Sequence, residues 1–228
     1  MPDRVVISFG HCAEHYKGGD GLGRMHGADH SRWLALAMDF YRRHCPPEWD
    51  LQAAITGWPG WPAVETSPGN PERDWYWQAL RSGRFITMAE NPGHQRGAAW
   101  TIRLGLEAAG WLGYDCLVHT AEDVLPDAGG IRSLLEHLQG GTCYAGQAWG
   151  RNQDELCSQF FACRVAVLAS TFDPAEVHND FPLECYLAKI LSGRRVAVVR
   201  ANYHHTHSPG EWSAWVARYE SKEPVPCL

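Results

Sequence analysis

Short β-branched apolar runs alternate along this chain with segments of helical period, and that alternation decides the fold class. Val5 to Phe9 is a continuous apolar run of the kind a strand buried on both faces requires. Ala28 to His44 follows with Trp33, Leu34, Ala37, Phe40 and Tyr41 at helical spacing, and Pro46-Pro47 ends it. Strand readings at Leu51 to Thr56, Phe85 to Ala89, Tyr114 to His119, Cys143 to Ala148, Phe160 to Leu168 and Arg195 to Val199 interleave with helix readings. The helices fall at Trp75 to Leu80, from Asn91 to about Ala109, at Ile131 to Leu138 and at Leu183 to Leu191. The expectation is an α/β fold: a mainly parallel sheet flanked by helices. The 228 residues suit one such domain, residues 1–228, with 208–228 as a C-terminal extension.

Charge and apolar content narrow the function classes. A net charge of −6 and a sequence pI near 6.0 give no electrostatic footprint for a general nucleic-acid binder. Arg194, Arg195 and Arg200 form only a local basic cluster. No apolar run approaches the roughly 20 residues that span a bilayer. The N-terminus leads directly into a strand-like run, so a cytoplasmic protein without a signal peptide is expected. Eight cysteines with no Cys-x-x-Cys pair read as reduced thiols rather than a disulfide or zinc framework.

Two stretches read as loops. Gly10, Gly18, Gly19, Gly21 and Gly23 follow the first strand. Residues 57–71 are dense in proline and glycine, and long loops in compact domains often carry function. Four tryptophans flank or lie in the second loop: Trp58, Trp61, Trp75 and Trp77. They are either core or flat apolar platforms for a ligand.

Four segments carry candidate chemistry. In Thr120-Ala-Glu-Asp-Val-Leu-Pro126 two carboxylates follow an apolar strand, where open α/β sheets place ligands. Glu122 and Asp123 could hold Mg²⁺ or Mn²⁺ against a diphosphate, or serve a helix N-terminus. Asn202-Tyr-His-His-Thr-His207 offers imidazole ligands, or ordinary surface histidines. Asn91-Pro-Gly-His-Gln-Arg-Gly97 opens a helix with glycines and Arg96, which suits an anion or simple turn chemistry. His178-Asn-Asp-Phe-Pro-Leu-Glu184 precedes a helix, and Asp180 is either its cap or a base.

Taken in order, these segments resemble the GT-A glycosyltransferases, especially the family-2-like group, over roughly residues 3 to 208. That family ends a strand in a pattern such as Leu-Asp-Ala-Asp-Asp, and His119-Thr-Ala-Glu-Asp123 stands in its place. The family's first Asp falls on Thr120, a departure. Asn91 to Ala99 looks like the family's Asn-x-Gly helix start, Gln159 to Arg164 like the strand after the acceptor-side loop, and Asn179-Asp180 like its Glu-Asp.

The resemblance implies a GT-A (Rossmann-like) fold and a glycosyltransferase of hexosyltransferase type. Its donor would be a nucleotide-diphosphate sugar, foremost a UDP-sugar, assisted by Mn²⁺ or Mg²⁺. Ser8, Phe9, Gly10, Asn91, Gly93, Arg96, Glu122 and Asp123 would meet the donor, and Glu122, Asp123, His205 and His207 the metal. Asp180 would be the catalytic base. The acceptor would be a glycan or small molecule, with a hydroxymethylated base of phage DNA a further candidate. A metal-dependent nucleotidyltransferase of similar fold and a non-catalytic sugar- or nucleotide-binding module are the alternatives.

Overall fold

The computed structural model describes residues 3–13, 28–66, 72–121, 124–126, 128–149, 155–199 and 203–205. The glycines at 18–23, Glu122, Asp123, His207 and the 208–228 tail lie outside the described residues. In chain order the elements are β1 (Val5–Cys12), α1 (Ala28–His44), β2 (Asp50–Thr56), α2 (Trp61–Thr66), α3 (Glu72–Ser82), β3 (Arg84–Thr87) and α4 (His94–Trp111). Then come β4 (Cys116–Ala121), β5 (Val124–Pro126), α5 (Ala128–His137), β6 (Tyr144–Trp149), β7 (Glu155–Arg164) and α6 (Val165–Thr171). A 3₁₀ turn at Pro174–Glu176, α7 (Leu183–Ile190), β8 (Val196–Val198) and β9 (Tyr203–His205) complete them.

Seven strands form one mostly parallel sheet in the order β3-β2-β1-β4-β7-β6-β8, with helices on its faces, as the alternation predicts. Only β7 runs against its neighbours β4 and β6. A separate two-stranded sheet pairs β5 with β9.

Alternation along the strands divides the core between the two faces. On one face Ile7 and Phe9 pack with Leu34, Met38 and Tyr41 of α1. On the other, Val6, Leu117 and Phe161 pack with Ala99, Ile102, Leu106 and Ala109, the apolar stripe of α4. α4 lies very close to the sheet: a Cβ at Gly105 would stand 2.5 Å from the Ser8 hydroxyl. That closeness explains a glycine in mid-helix, where it otherwise costs about 1 kcal/mol.

Two expectations need correction. The Phe160 to Leu168 run is not one strand: β7 stops at Arg164 and Val165 begins α6. The backbone N–H of Val165 turns to the carbonyl of Asp115, and Val165 and Leu168 are buried one helical turn apart. Residues 57–71 are not all loop, because α2 occupies Trp61–Thr66 with Pro62 in its first turn, where a missing N–H costs nothing.

Candidate functional site

From β1 the chain steps outward through β2 to β3, then returns to add β4 on β1's other side. The strand order therefore reverses between β1 and β4, and the crevice beyond the carboxyl ends at such a switch point is the place where open α/β sheets bind ligands. β1 reaches that edge at Cys12 and β4 at Ala121, which pairs with Gly10.

The start of α4 is tied to this edge. The Asn91 amide donates to the Cys12 sulfur at 2.9 Å, and its Oδ1 accepts from the Gly93 N–H at 3.2 Å. A Cβ at Gly97 would meet that same oxygen at 2.7 Å. Gly93 has φ 105°, a conformation side chains rarely adopt. No side chain of its own segment caps the helix. Instead Asn179 does so from the turn before α7: its Oδ1 accepts from the Arg96 N–H at 3.1 Å. Gln95 returns the link, accepting from the Leu183 N–H at 3.2 Å. Asp180, next to Asn179 in the same turn, is exposed. The Nε of Arg96 is buried without a hydrogen-bond partner, a donor left over at the helix start.

The strand that follows the acidic pair in sequence pairs with the strand that holds His204 and His205. Glu122 and Asp123 link β4 to β5, and β5 pairs antiparallel with β9 in the register Val124↔His205. His205 thus lies opposite the first residue after the acidic pair. Thr120, at the family's first Asp position, is fully buried. Its hydroxyl faces the carbonyls of Ala121 and Val124, each at 3.1 Å. It thereby links the end of β4 to the start of β5. Among the described residues, no three His, Cys, Asp or Glu side chains gather as a metal site.

Ser8, Phe9 and Gly10 lie within the first strand. β1 does not end at Phe9, because Gly10, His11 and Cys12 continue the ladder with Ala54, Ile55 and Thr56. Ser8 and Phe9 are therefore mid-strand with no exposed surface. Ser8 accepts from the Gln52 amide at 3.2 Å, and Gln52 donates also to the Gly105 carbonyl at 3.0 Å, so this pair fastens α4 to the sheet. Phe9 packs edge-on against Tyr41. Gly10 is hemmed in, since a Cβ there would stand 2.8 Å from the Thr101 hydroxyl and 2.9 Å from the His119 ring. His11 and Cys12 occupy the carboxyl end of β1, and His11 bonds the Tyr76 hydroxyl at 2.9 Å.

His119, on β4, is buried near the carboxyl ends of β1 and β4. Burial lowers its pKa from 6.5 to about 3, so it is neutral at physiological pH. Its ring stacks on Phe161 at 5.2 Å, and its Nδ1 has no hydrogen-bond partner.

Sequence reasoning missed Gln95, Cys12 and the capping role of Asn179, all of which come from long-range contacts. In the sequence Asn179 stands out only as the other half of the Asn-Asp pair.

No protein-family model matches the chain, and no curated protein matches it in sequence. Solved structures do match in shape. The 4-diphosphocytidyl-2C-methyl-D-erythritol synthase of Anaerococcus prevotii superposes with a TM-score of 0.58 at 11% identity, over 95% of this chain and 99% of that one. The galactosyltransferase LgtC, solved with donor and acceptor sugar analogs, gives 0.55 at 12% identity over 97% and 98%. A candidate nucleotide-diphospho-sugar transferase of Desulfovibrio desulfuricans gives 0.52 at 16% identity over 86% and 80%. The fold is that of the GT-A-like nucleotide-diphospho-sugar transferases. At these identities the shared property is the fold, which hosts both sugar and nucleotidyl transfer. Among the described residues, no helix of this GT-A-like domain is long and apolar enough to cross a membrane.

Proposed function

We propose that this GT-A-like chain transfers a sugar from a nucleotide-diphosphate sugar to an acceptor hydroxyl. One observation carries the reading. The strand after the acidic pair, the strand holding His205, the start of α4 and the Asn179-Asp180 turn all converge on the carboxyl ends of β1 and β4.

The donor's diphosphate would lie between the β4–β5 turn and the start of α4. Arg96, with its Nε unpaired, would fork to a phosphate oxygen, and Asn91 and Gly93 shape that helix start. Carboxylates and imidazoles suit Mn²⁺ or Mg²⁺, and in this reading Glu122, Asp123, His205 and His207 would hold the ion, which the pairing of β5 with β9 supports. Such an ion would offset the charge of the departing diphosphate. Asp180 is the base in this reading, taking the proton of the acceptor hydroxyl. A UDP-sugar donor and a glycan or small-molecule acceptor complete it. The likeness to the erythritol cytidylyltransferase favours a second reading, nucleotidyl transfer at the same crevice.

The test is thermal shift with a panel of nucleotide-diphosphate sugars, with and without Mn²⁺, on wild type and Glu122→Ala. A ligand of the native state raises the melting temperature, by an amount corresponding to about 2.7 kcal/mol at a hundred times its Kd. A metal-dependent shift with one donor, lost in Glu122→Ala, is expected. A shift with nucleoside triphosphates alone, and pyrophosphate as product, would instead establish nucleotidyl transfer.

A further inference from the structure

The tryptophan-rich segment is not uniformly core. Trp58 and Tyr76 are buried, while Trp77 keeps 40% of its surface exposed. Three rings form a ladder. Trp61 stacks on Trp77 with centroids 4.4 Å apart and 21° between planes, and lies nearly parallel to Phe85 at 6.3 Å and 7°. Trp58 braces Trp61 edge-on at 5.3 Å and 81°. Trp77 is thus the outer rung of a braced stack, held at a fixed tilt before any ligand arrives.

That rung lines an open cleft of about 370 Å³ between α2 and α3. Glu65 comes from α2, and Arg73, Asp74, Gln78 and Arg81 share one face of α3 with Trp77. Arg73 is engaged by Asp74 at 3.3 Å. Two carboxylates argue against an anion and two guanidiniums against a cation. A flat apolar surface ringed by both donors and acceptors matches a pyranose, which has an apolar C–H face and an equatorial belt of hydroxyls.

We infer that the Trp77 cleft is a binding subsite for a neutral saccharide. Its place beside the donor crevice is set by the adjacent residue: Tyr76 bonds His11 near the carboxyl end of β1 at 2.9 Å. The cleft therefore suits the outer part of a glycan acceptor. That assignment of the saccharide as acceptor rests on the proposed transfer function, whereas binding itself does not.

The experiment is saturation-transfer NMR on the full chain, without donor, using lactose, maltose, cellobiose and N,N′-diacetylchitobiose as probes. At least one should take up saturation on its ring protons, with a Kd of about 1 mM, equivalent to about −4 kcal/mol. Trp77→Ala should weaken that binding at least tenfold, Trp77→Tyr should retain it, and Asp74→Ala, at a largely exposed side chain, should weaken it. No saturation with any of the four probes overturns the inference. So does binding unchanged in both Asp74→Ala and Trp77→Ala, and, should Trp77→Ala not fold, unchanged binding in Asp74→Ala alone overturns it. The donor-induced thermal shift of the wild type is read separately. Its absence would sink the transfer reading and leave saccharide binding to stand or fall on its own result.

Discussion

Asn179 caps α4 from a distance of 83 positions in the sequence, its side-chain oxygen accepting from the Arg96 N–H at 3.1 Å. An N-cap normally comes from the residue that starts the helix, but that residue here is Gly93, which has no side chain to offer. The borrowed cap fixes the α7 turn, and Asp180 with it, against the helix that begins at the crevice. Asn179→Ala should lower stability by about 1 kcal/mol, the usual cost of a lost cap. Asn179→Asp keeps the acceptor and should recover most of it. If both variants melt alike, the cap is not what Asn179 contributes. Transfer should drop further in Asn179→Ala than its stability loss explains, because Asp180 loses its anchor.

Gly93 and Asn179 should also act as a pair. At φ 105° any side chain is strained, and a Cβ at Gly93 would come within 2.8 Å of the Asn179 amide nitrogen. Gly93→Ala should cost about 1–3 kcal/mol through strain alone. Part of any further loss would come from evicting Asn179. The double variant with Asn179→Ala should therefore be less destabilised than the sum of the singles. Strict additivity in a denaturant-melt cycle would show that the new methyl group leaves the cap in place.

Much of this architecture can be read from the chain itself, for identifiable reasons. The strands that form the buried sheet centre are continuous apolar runs, and α1 and α4 carry their stripes at helical spacing. Boundaries were harder where one pattern fits two structures. Val165-Ala-Val-Leu168 is as good a strand as a helix by composition, and only its placement over α4's face decides for helix. Gly10 looks like the end of a strand, yet the ladder with β2 carries β1 on to Cys12. The candidate site was legible as separate segments in the right order. Their meeting was not, because Cys12 to Asn91, Arg96 to Asn179 and Val124 to His205 are contacts that no local pattern encodes.

Thr120 illustrates how a departure from a family pattern is decided by burial. An Asp at this position would carry its charge into a site with no exposed surface. Thr120→Asp should therefore destabilise the chain by several kcal/mol, although it restores the family residue. Thr120→Val keeps the volume and removes only the hydroxyl that holds the carbonyls of Ala121 and Val124. It should cost about 1 kcal/mol and, under the proposed transfer function, blunt the donor-induced thermal shift, since the link between β4 and β5 is lost. Thr120→Ser should behave as wild type. An Asp variant that melts like wild type would mean that the position opens to solvent or to a cation.

The pH dependence of stability should carry the signature of His119. Its pKa is about 3 in the folded chain and 6.5 when unfolded. Above pH 6.5 the imidazole is neutral in both states and contributes no slope. Between pH 6.5 and about 3 the unfolded chain binds a proton that the folded chain refuses, so stability falls as pH falls. The slope approaches about 1.4 kcal/mol per pH unit, which amounts to about 2 kcal/mol lost by pH 5. Most carboxylates have not yet begun to protonate there, so the slope from pH 6.5 to 5 comes from histidines, among them His44, whose pKa burial and then Arg43 also lower, and His119 is singled out by comparison with a variant. His119→Leu removes the titration. Its stability at neutral pH depends on how Gly10, Thr101 and Phe161 accept the new shape, but its slope in this window should flatten. Urea melts at half-unit pH steps measure that slope. If wild type and His119→Leu lose stability in parallel between pH 6.5 and 5, the imidazole is protonated in the native state and must have an acceptor or water at Nδ1.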